Sequence, residues 1–179
     1  MPSLGHVAVG LAAGRFHAGA THSRVAPTLA FTALALFPDL DVLARQLGAG
    51  RGSAWLHRGA LHSLIVAIAA GLAAALVMGG LGRTRWRMAA TAVLVAASHG
   101  LLDAFTHGGR GVMLLWPLGD ARFLASWHLL PAAPIGLRLV SARGVAVLLQ
   151  EAALFSPLLL YALWPPRAPS ASPSAPETP

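Results

Sequence analysis

The chain contains no cysteine and no lysine, and only six of its 179 residues carry a carboxylate side chain. Without cysteine it has neither a disulfide framework nor a thiolate metal site, so any metal must be bound by nitrogen and oxygen ligands. The shortage of Glu and Lys excludes a coiled coil. Disorder is excluded for most of the chain, because 56% of the residues are hydrophobic and only 11% are charged.

The composition is instead that of a membrane protein. The mean hydropathy of +0.65 lies far above that of a soluble globular domain. The formal charge of +7 comes entirely from arginine, and a basic balance of this kind can indicate nucleic-acid binding. These arginines lie between apolar runs, however, where they contact lipid headgroups or follow the loop-charge bias of membrane proteins. We therefore expect membrane lipids as partners and no nucleic acid.

Five apolar stretches, separated by segments with Arg, Gly or Pro, are candidate membrane spans: roughly 4–20, 25–40, 60–81, 86–105 and 144–164. Stretch 60–81 is the clearest, because at about 1.5 Å per residue it covers about 33 Å, against about 30 Å of hydrocarbon. We predict an all-α fold for residues 1–165, a polytopic membrane bundle of about five helices. The Pro/Ser/Ala-rich segment 166–179 cannot bury a core and is predicted to be a disordered tail.

The chain has only four Asp and eight His, yet three of the Asp and four of the His fall into four short clusters: His6; Asp39 and Asp41; His57 and His62; His99 and Asp103. Such groups are costly at membrane depth and usually line a cavity, pair with one another or bind an ion. His99 and Asp103 are four residues apart, so on a helix they share one face and can hold one ion. Taken alone, each cluster is also compatible with a helix end, a cap or a simple His–Asp pair.

The order of the clusters along the chain adds an argument that no single cluster provides. They stand at the start of the first stretch, the end of the second, the start of the third and the end of the fourth. If successive spans alternate in direction, all four lie on the same membrane face. Imidazole and carboxylate without thiolate suit zinc, manganese or iron, and we predict a shared metal centre, most simply with zinc.

The residues around these clusters resemble the membrane-bound metal-dependent hydrolases of bacteria and archaea, which include a LexA-regulated inner-membrane branch. The resemblance covers about residues 1–135 and rests on LGHVAVG (4–10), PDLD (38–41), HRGALHS (57–63), SHGLLDAFTHGG (98–109) and LLWP (114–117). It implies a multi-pass protein of the prokaryotic inner membrane that binds metal and hydrolyses a substrate. The metal ligands it implies are His6, Asp39, Asp41, His57, His62, His99 and Asp103, with Arg58 beside them.

Two positions depart from the usual pattern of that family. Leu61 stands where Thr is frequent, and His107 stands where a small residue or Pro is commoner. Neither change removes a ligand. His107 continues the spacing from His99, but the glycines after it indicate that the helix is ending, so we do not expect it to bind metal. The remaining histidines are predicted to be interfacial or loop residues: His17, His22 and His128.

A centre with as many as seven ligands could hold two ions about 3.5–4 Å apart, an arrangement suited to phosphoester hydrolysis. In this hypothesis metal-activated water is the nucleophile, Asp41 takes its proton and Arg58 makes a bidentate contact with a phosphate oxygen. Because the site lies at headgroup level, we predict a phospholipid or another lipid-linked phosphoester as substrate, with an amide or ester still open. Glu151 is a candidate acid or base, or else a carboxyl hydrogen-bonded to Gln150 or a neighbouring helix.

Two other classes of function remain open at this level. A metal or ion transporter would also place His and Asp inside helices, but with polar residues spread through the membrane depth. Here they gather at one end of the stretches, and residues 64–78 contain no ionisable side chain. A membrane scaffold with a structural ion would need the metal for stability and would show no activity.

Overall fold

The computed structural model of the chain describes residues 3–18, 25–78, 85–107, 109–134 and 136–165. This part forms the helices α1 (Ser3–Ala18), α2 (Val25–Leu36), α3 (Leu64–Met78), α4 (Arg85–Ala104), α5 (Ala142–Leu154) and α6 (Ser156–Leu163). It also contains three 3-10 helices, Phe37–Leu43, Ala60–His62 and Gly136–Val140, and two short parallel strands, β1 (Thr106–His107) and β2 (Leu130–Pro131). The fold is therefore mostly helical, as predicted. The predicted tail, 166–179, lies outside the described residues.

Helices α1 and α2 pack so closely that backbone meets backbone. A Cβ atom added at Gly10 or Gly14 would collide with the Cα atoms of Thr32 and Thr28 on α2. Small residues four apart are typical of membrane helices, because they let two backbones approach each other. This packing places the first turn of α1 beside the end of α2, where two of the residue clusters lie.

Many large apolar side chains of the helices face outward, whereas most of the buried core residues are small. The buried core is rich in alanine: Ala13, Ala35, Ala67, Ala75, Ala92 and Ala96, with Phe31, Leu34 and Val95. By contrast Leu76 and Val77 on α3 are 82% and 88% exposed, and Leu94 on α4 is 70% exposed. Extended apolar surface of this kind is suited to contact with lipid.

Among the described residues, one continuous helical segment is both long and apolar enough to cross a membrane. It is Val25–Leu43, which joins α2 to the 3-10 helix after it and has a mean hydropathy of 1.4. In stretch 60–81, predicted to be the clearest span, the α-helix begins four residues after the predicted start. Helix α3 starts at Leu64, and its 15 residues cover about 22 Å. The reason is local, because Ala60–His62 form a 3-10 turn and the Ser63 hydroxyl then caps α3 by accepting from the Val66 N–H.

The fifth predicted span, 144–164, is not one straight helix. The axes of α5 and α6 differ by 71° across a break at Phe155, so the pair forms either a broken span or a re-entrant segment. Pro157 stands in the first turn of α6, where its missing N–H is tolerated, whereas in the interior of a continuous helix it would remove a hydrogen bond. The structure thus supports a helical fold, and the number of membrane crossings remains a prediction.

Candidate metal centre

The residues predicted as ligands come from four parts of the chain and meet at one end of α1–α4. They are His6 in the first turn of α1, Asp39 and Asp41 in the 3-10 helix after α2, His57 and His62 before α3, and His99 and Asp103 in the last turns of α4. We call these seven residues the donor cluster. The sequence argument from the order of the clusters thus agrees with their placement.

Asp103 lies at the centre of the donor cluster and is fully buried. Its Oδ1 lies 3.4 Å from His6 Nε2, and its Oδ2 lies 3.3 Å from Arg58 Nε and 3.5 Å from His62 Nε2. A buried carboxylate is stable only when positive or hydrogen-bonding groups surround it. The end of α4 that carries it is held by the Thr106 hydroxyl, which donates to the Asp103 carbonyl at 2.8 Å.

His99 and His6 form a stacked pair next to this carboxylate, with ring centroids 3.6 Å apart and planes within 9°. His99 Nδ1 lies 2.6 Å from the carbonyl oxygen of Ala35, so Nδ1 is the donor and Nε2 is left facing Asp39 Oδ1 at 3.3 Å. A backbone carbonyl on one ring nitrogen is the usual support of a histidine whose other nitrogen binds metal.

Both carboxylate oxygens of Asp41 are engaged with residues of the loop before α3. Oδ1 lies 2.7 Å from His57 Nδ1, while Oδ2 lies 3.0 Å from His62 Nδ1 and accepts the backbone N–H of Arg58 at 3.0 Å. These contacts fix the orientation of two imidazole rings. They favour a positioning role for Asp41, whereas its roles as metal ligand and as base remain predictions.

His62 lies in the 3-10 turn between these two carboxylates. Burial lowers the pKa of His62, but its contacts with Asp103 and Asp41 outweigh burial and raise the pKa to about 9. The surroundings therefore strongly favour positive charge at this imidazole, and a metal cation would have to displace the proton to bind there.

Arg58 is buried and has a backbone φ of 64°, which is uncommon for a residue with a side chain. Its carbonyl accepts hydrogen bonds from the Met113 N–H and from Arg122 Nη1. The backbone N–H of Arg58 donates to the Asp41 carboxylate. A Cβ at Gly109 would lie 2.8 Å from Arg58 Nη1, so that loop leaves room for the guanidinium. Several elements thus cooperate to keep this side chain in the cluster.

Sequence reasoning missed two residues that support this arrangement. Arg122 Nη1 donates to the carbonyls of Arg58 and Gly111, and no motif marks it because it lies in an irregular loop. Gly100 faces the 3-10 turn of His62 so closely that a Cβ would collide with the His62 carbonyl. A glycine inside an apolar helix is a signal for such a close approach.

Six of the seven donor residues form two groups, and within each group the donor atoms lie within 4.8 Å of one another. His6, His99 and Asp103 form the first, which we call the helix group; Asp39, His57 and His62 form the second, the loop group. The Nε2 atoms of His6, His62 and His99 are buried and make no regular hydrogen bond within the described residues. Buried polar atoms rarely lack a hydrogen-bond partner. Imidazole nitrogens that converge with carboxylates fit a divalent transition metal.

The other candidate residues lie apart from the donor cluster. His107 is exposed on β1, with its ring 5.0 Å from that of His128, and His17 packs against Phe31. His22 lies outside the described residues. The fully buried Glu151 accepts a hydrogen bond from the Leu4 N–H, which agrees with the alternative of a carboxyl bonded to a neighbouring helix.

Comparison with known proteins identifies the family. The model of the YdjM inner membrane protein family matches residues 1–167. The chain is also 36% identical over 160 residues to the inner membrane protein YbcI of Escherichia coli (strain K12), covering 84% of this chain and 88% of that protein. No solved structure matches the chain. Both descriptions give the same location, and the chain belongs to the YdjM inner membrane protein family.

Proposed function

We propose that this protein is a multi-pass, metal-dependent hydrolase of the inner membrane that acts on a lipid-linked phosphoester or phospholipid. The observation that carries the proposal is the donor cluster itself, in which three buried imidazole nitrogens converge on Asp39 and Asp103 with a guanidinium beside them. Nitrogen and oxygen donors without sulfur suit zinc best, with manganese or iron as the alternatives.

The helix group and the loop group would each hold one ion. When bound, the ions would supply Lewis-acid activation of water and stabilise charge on the departing oxygen. Asp41 keeps His57 and His62 oriented through its two oxygens, and the Ala35 carbonyl does the same for His99. The protein therefore presents its ligands in one fixed arrangement, as metal-dependent catalysis requires.

Arg58 supplies the binding site for the phosphate. Its Nε faces Asp103, while its Nη1 is buried and makes no hydrogen bond within the described part of the chain. A guanidinium offers planar, paired donors that match phosphate oxygens. A phosphoester that reaches the cluster can thus be held by Arg58 while its phosphorus lies next to the two donor groups.

An apolar cavity beside the cluster supports a lipid substrate. Its volume is about 470 Å³, within the usual range of about 300–1,000 Å³ for ligand pockets. Asp41 lines it together with apolar side chains that include Leu40, Leu47, Trp55 and Leu61. An acyl or other hydrocarbon group bound there would lie against the same carboxylate that orients the histidines.

A screen of the detergent-purified, zinc-loaded protein tests this function. Phospholipids and other lipid phosphates serve as substrates, and carboxylic esters and amides serve as the comparison. Asp103→Asn should abolish product release, whereas His128→Ala, an exposed histidine outside the cluster, should match the wild type. If the wild type holds zinc but releases no more product than Asp103→Asn from any substrate, the ion is structural and the hydrolase proposal is wrong.

A further inference from the structure

Glu151 is fully buried in α5 and stands outside both donor groups found among the described residues. Its Oε2 accepts a hydrogen bond of 2.7 Å from the backbone N–H of Leu4. Leu4 is the second residue of α1, and the first N–H groups of a helix have no partner inside it. A carboxylate from α5 thus caps the start of α1, where the helix dipole favours negative charge.

A second contact joins the first turn of α1 to the end of α5. A Cβ at Gly5 would lie 2.5 Å from Phe155 Cε2 and 2.6 Å from its Cζ, so the ring of Phe155 packs directly on the α1 backbone. Phe155 is the residue at which α5 and α6 bend by 71°. The break therefore presents a carboxylate and an aromatic ring, four residues apart, to two successive residues of α1.

The next residue in α1 is His6. Its ring stacks on His99, and its Nε2 lies 3.4 Å from Asp103 Oδ1. No other member of the donor cluster is on α1, so a small shift of the first turn would displace this ligand and leave the other six in place.

We propose that Glu151 is a positioning residue for His6, and that with Phe155 it locks the first turn of α1 so that the helix group is complete. The role in metal binding rests on the proposed function, whereas the locking of His6 can be measured without metal. The proposal predicts a selective defect, because the loop group is carried by other elements of the fold.

Zinc content measures that selectivity. Full-length Glu151→Leu, equilibrated with zinc and freed of excess, should lose about half of the wild-type zinc, as His6→Ala should. Glu151→Gln should keep the wild-type amount, since its amide oxygen can still accept the Leu4 N–H. Full zinc content in Glu151→Leu, or loss of all of it, would overturn the proposal, since neither result is selective for the helix group.

Histidine modification by diethyl pyrocarbonate, read by peptide mass spectrometry on metal-free protein, supplies the independent measurement. His6 should react at least about tenfold faster in Glu151→Leu than in the wild type or Glu151→Gln, because a hydrogen bond to a charged group has been lost. His62, also buried, should stay protected in all three. Equal protection of His6 in Glu151→Leu overturns the inference even if the wild type binds zinc. Selective exposure of His6 in a protein that never binds zinc supports it and rejects the proposed function.

The Phe155 contact gives a steric version of the same test. Gly5→Ala should expose His6 to the reagent, because the new methyl group collides with the ring, and adding Phe155→Ala should restore part of the protection. Gly119→Ala is the matched control, since a Cβ there meets no atom within 4 Å. A Gly5→Ala variant as protected as the Gly119→Ala control would show that this contact does not hold the turn.

Discussion

The two donor groups differ in how the fold holds them. All three residues of the helix group are buried, and they come from α1 and α4. The three residues of the loop group come from 3-10 or irregular segments, and two of them are half-buried. Closed metal sites are typical of tightly held ions, and sites with an accessible side are typical of catalysis. Under the proposed function we therefore expect a division of labour, in which the helix group anchors one ion and the loop group meets the substrate.

Asp103 belongs to the helix group but also faces His62 of the loop group, so its removal should have the largest effect. Asp103→Ala leaves Arg58 buried opposite no carboxylate, which typically costs about 3–5 kcal/mol. We expect a large fall in thermal stability in detergent together with loss of zinc from both groups. Calorimetry and elemental analysis on the same sample measure the two effects, and retention of half of the zinc would show that the loop group does not depend on Asp103.

The second-largest effect is expected in the rate at which a chelator removes zinc, which should differ between the two donor groups. We expect a slow phase from the buried helix group and a fast phase from the loop group, whose His57 side chain is 29% exposed. His99→Ala should remove the slow phase and His57→Ala the fast one. A single phase in the wild type, or the opposite assignment, would contradict the division of labour.

Arg58→Lys should have a smaller effect, directed at the substrate. An ammonium group cannot reproduce the guanidinium fork, so kcat/KM for a lipid phosphate should fall by about 10- to 100-fold while zinc content stays unchanged. Steady-state kinetics with parallel metal analysis test this. A fall in zinc content would mean that Arg58 holds the cluster together and does not mainly bind phosphate.

The smallest effect is expected at Leu61, in the apolar cavity next to Asp41. Leu61→Ala removes hydrocarbon contact worth about 1 kcal/mol, so KM for a long-chain lipid phosphate should rise about fivefold. A water-soluble short-chain analogue that does not reach the cavity should be hydrolysed as before. Equal changes for both substrates would place the lipid chain elsewhere.

Sequence patterns were sufficient to select the donor cluster, because rare polar residues in apolar stretches stand out and their order along the chain places them at one end. The start of α3 was also within reach, since the serine before Leu64 is a common helix cap. Pro157 inside the fifth stretch likewise marked a break.

Other features depend on tertiary structure. Asp39 and Asp41 are two residues apart, yet the first faces His99 and the second orients His57 and His62; only the course of the 3-10 helix decides this. The support that Arg122 gives to the Arg58 backbone joins two loops 64 residues apart, which no local pattern encodes. Sequence periodicity reports local conformation and therefore does not reveal such contacts.

The contact between Leu4 and Glu151 also bears on the order in which the protein is made. The two residues are 147 positions apart, so Glu151 cannot cap the first turn of α1 until the ribosome has synthesised α5. All seven donor residues are present once synthesis has passed Asp103, whereas α5 begins only after Ser141. On our inference, a chain that stops before α5 would contain every proposed ligand and still leave His6 unlocked, so the proposed site would become complete only after α5 is made.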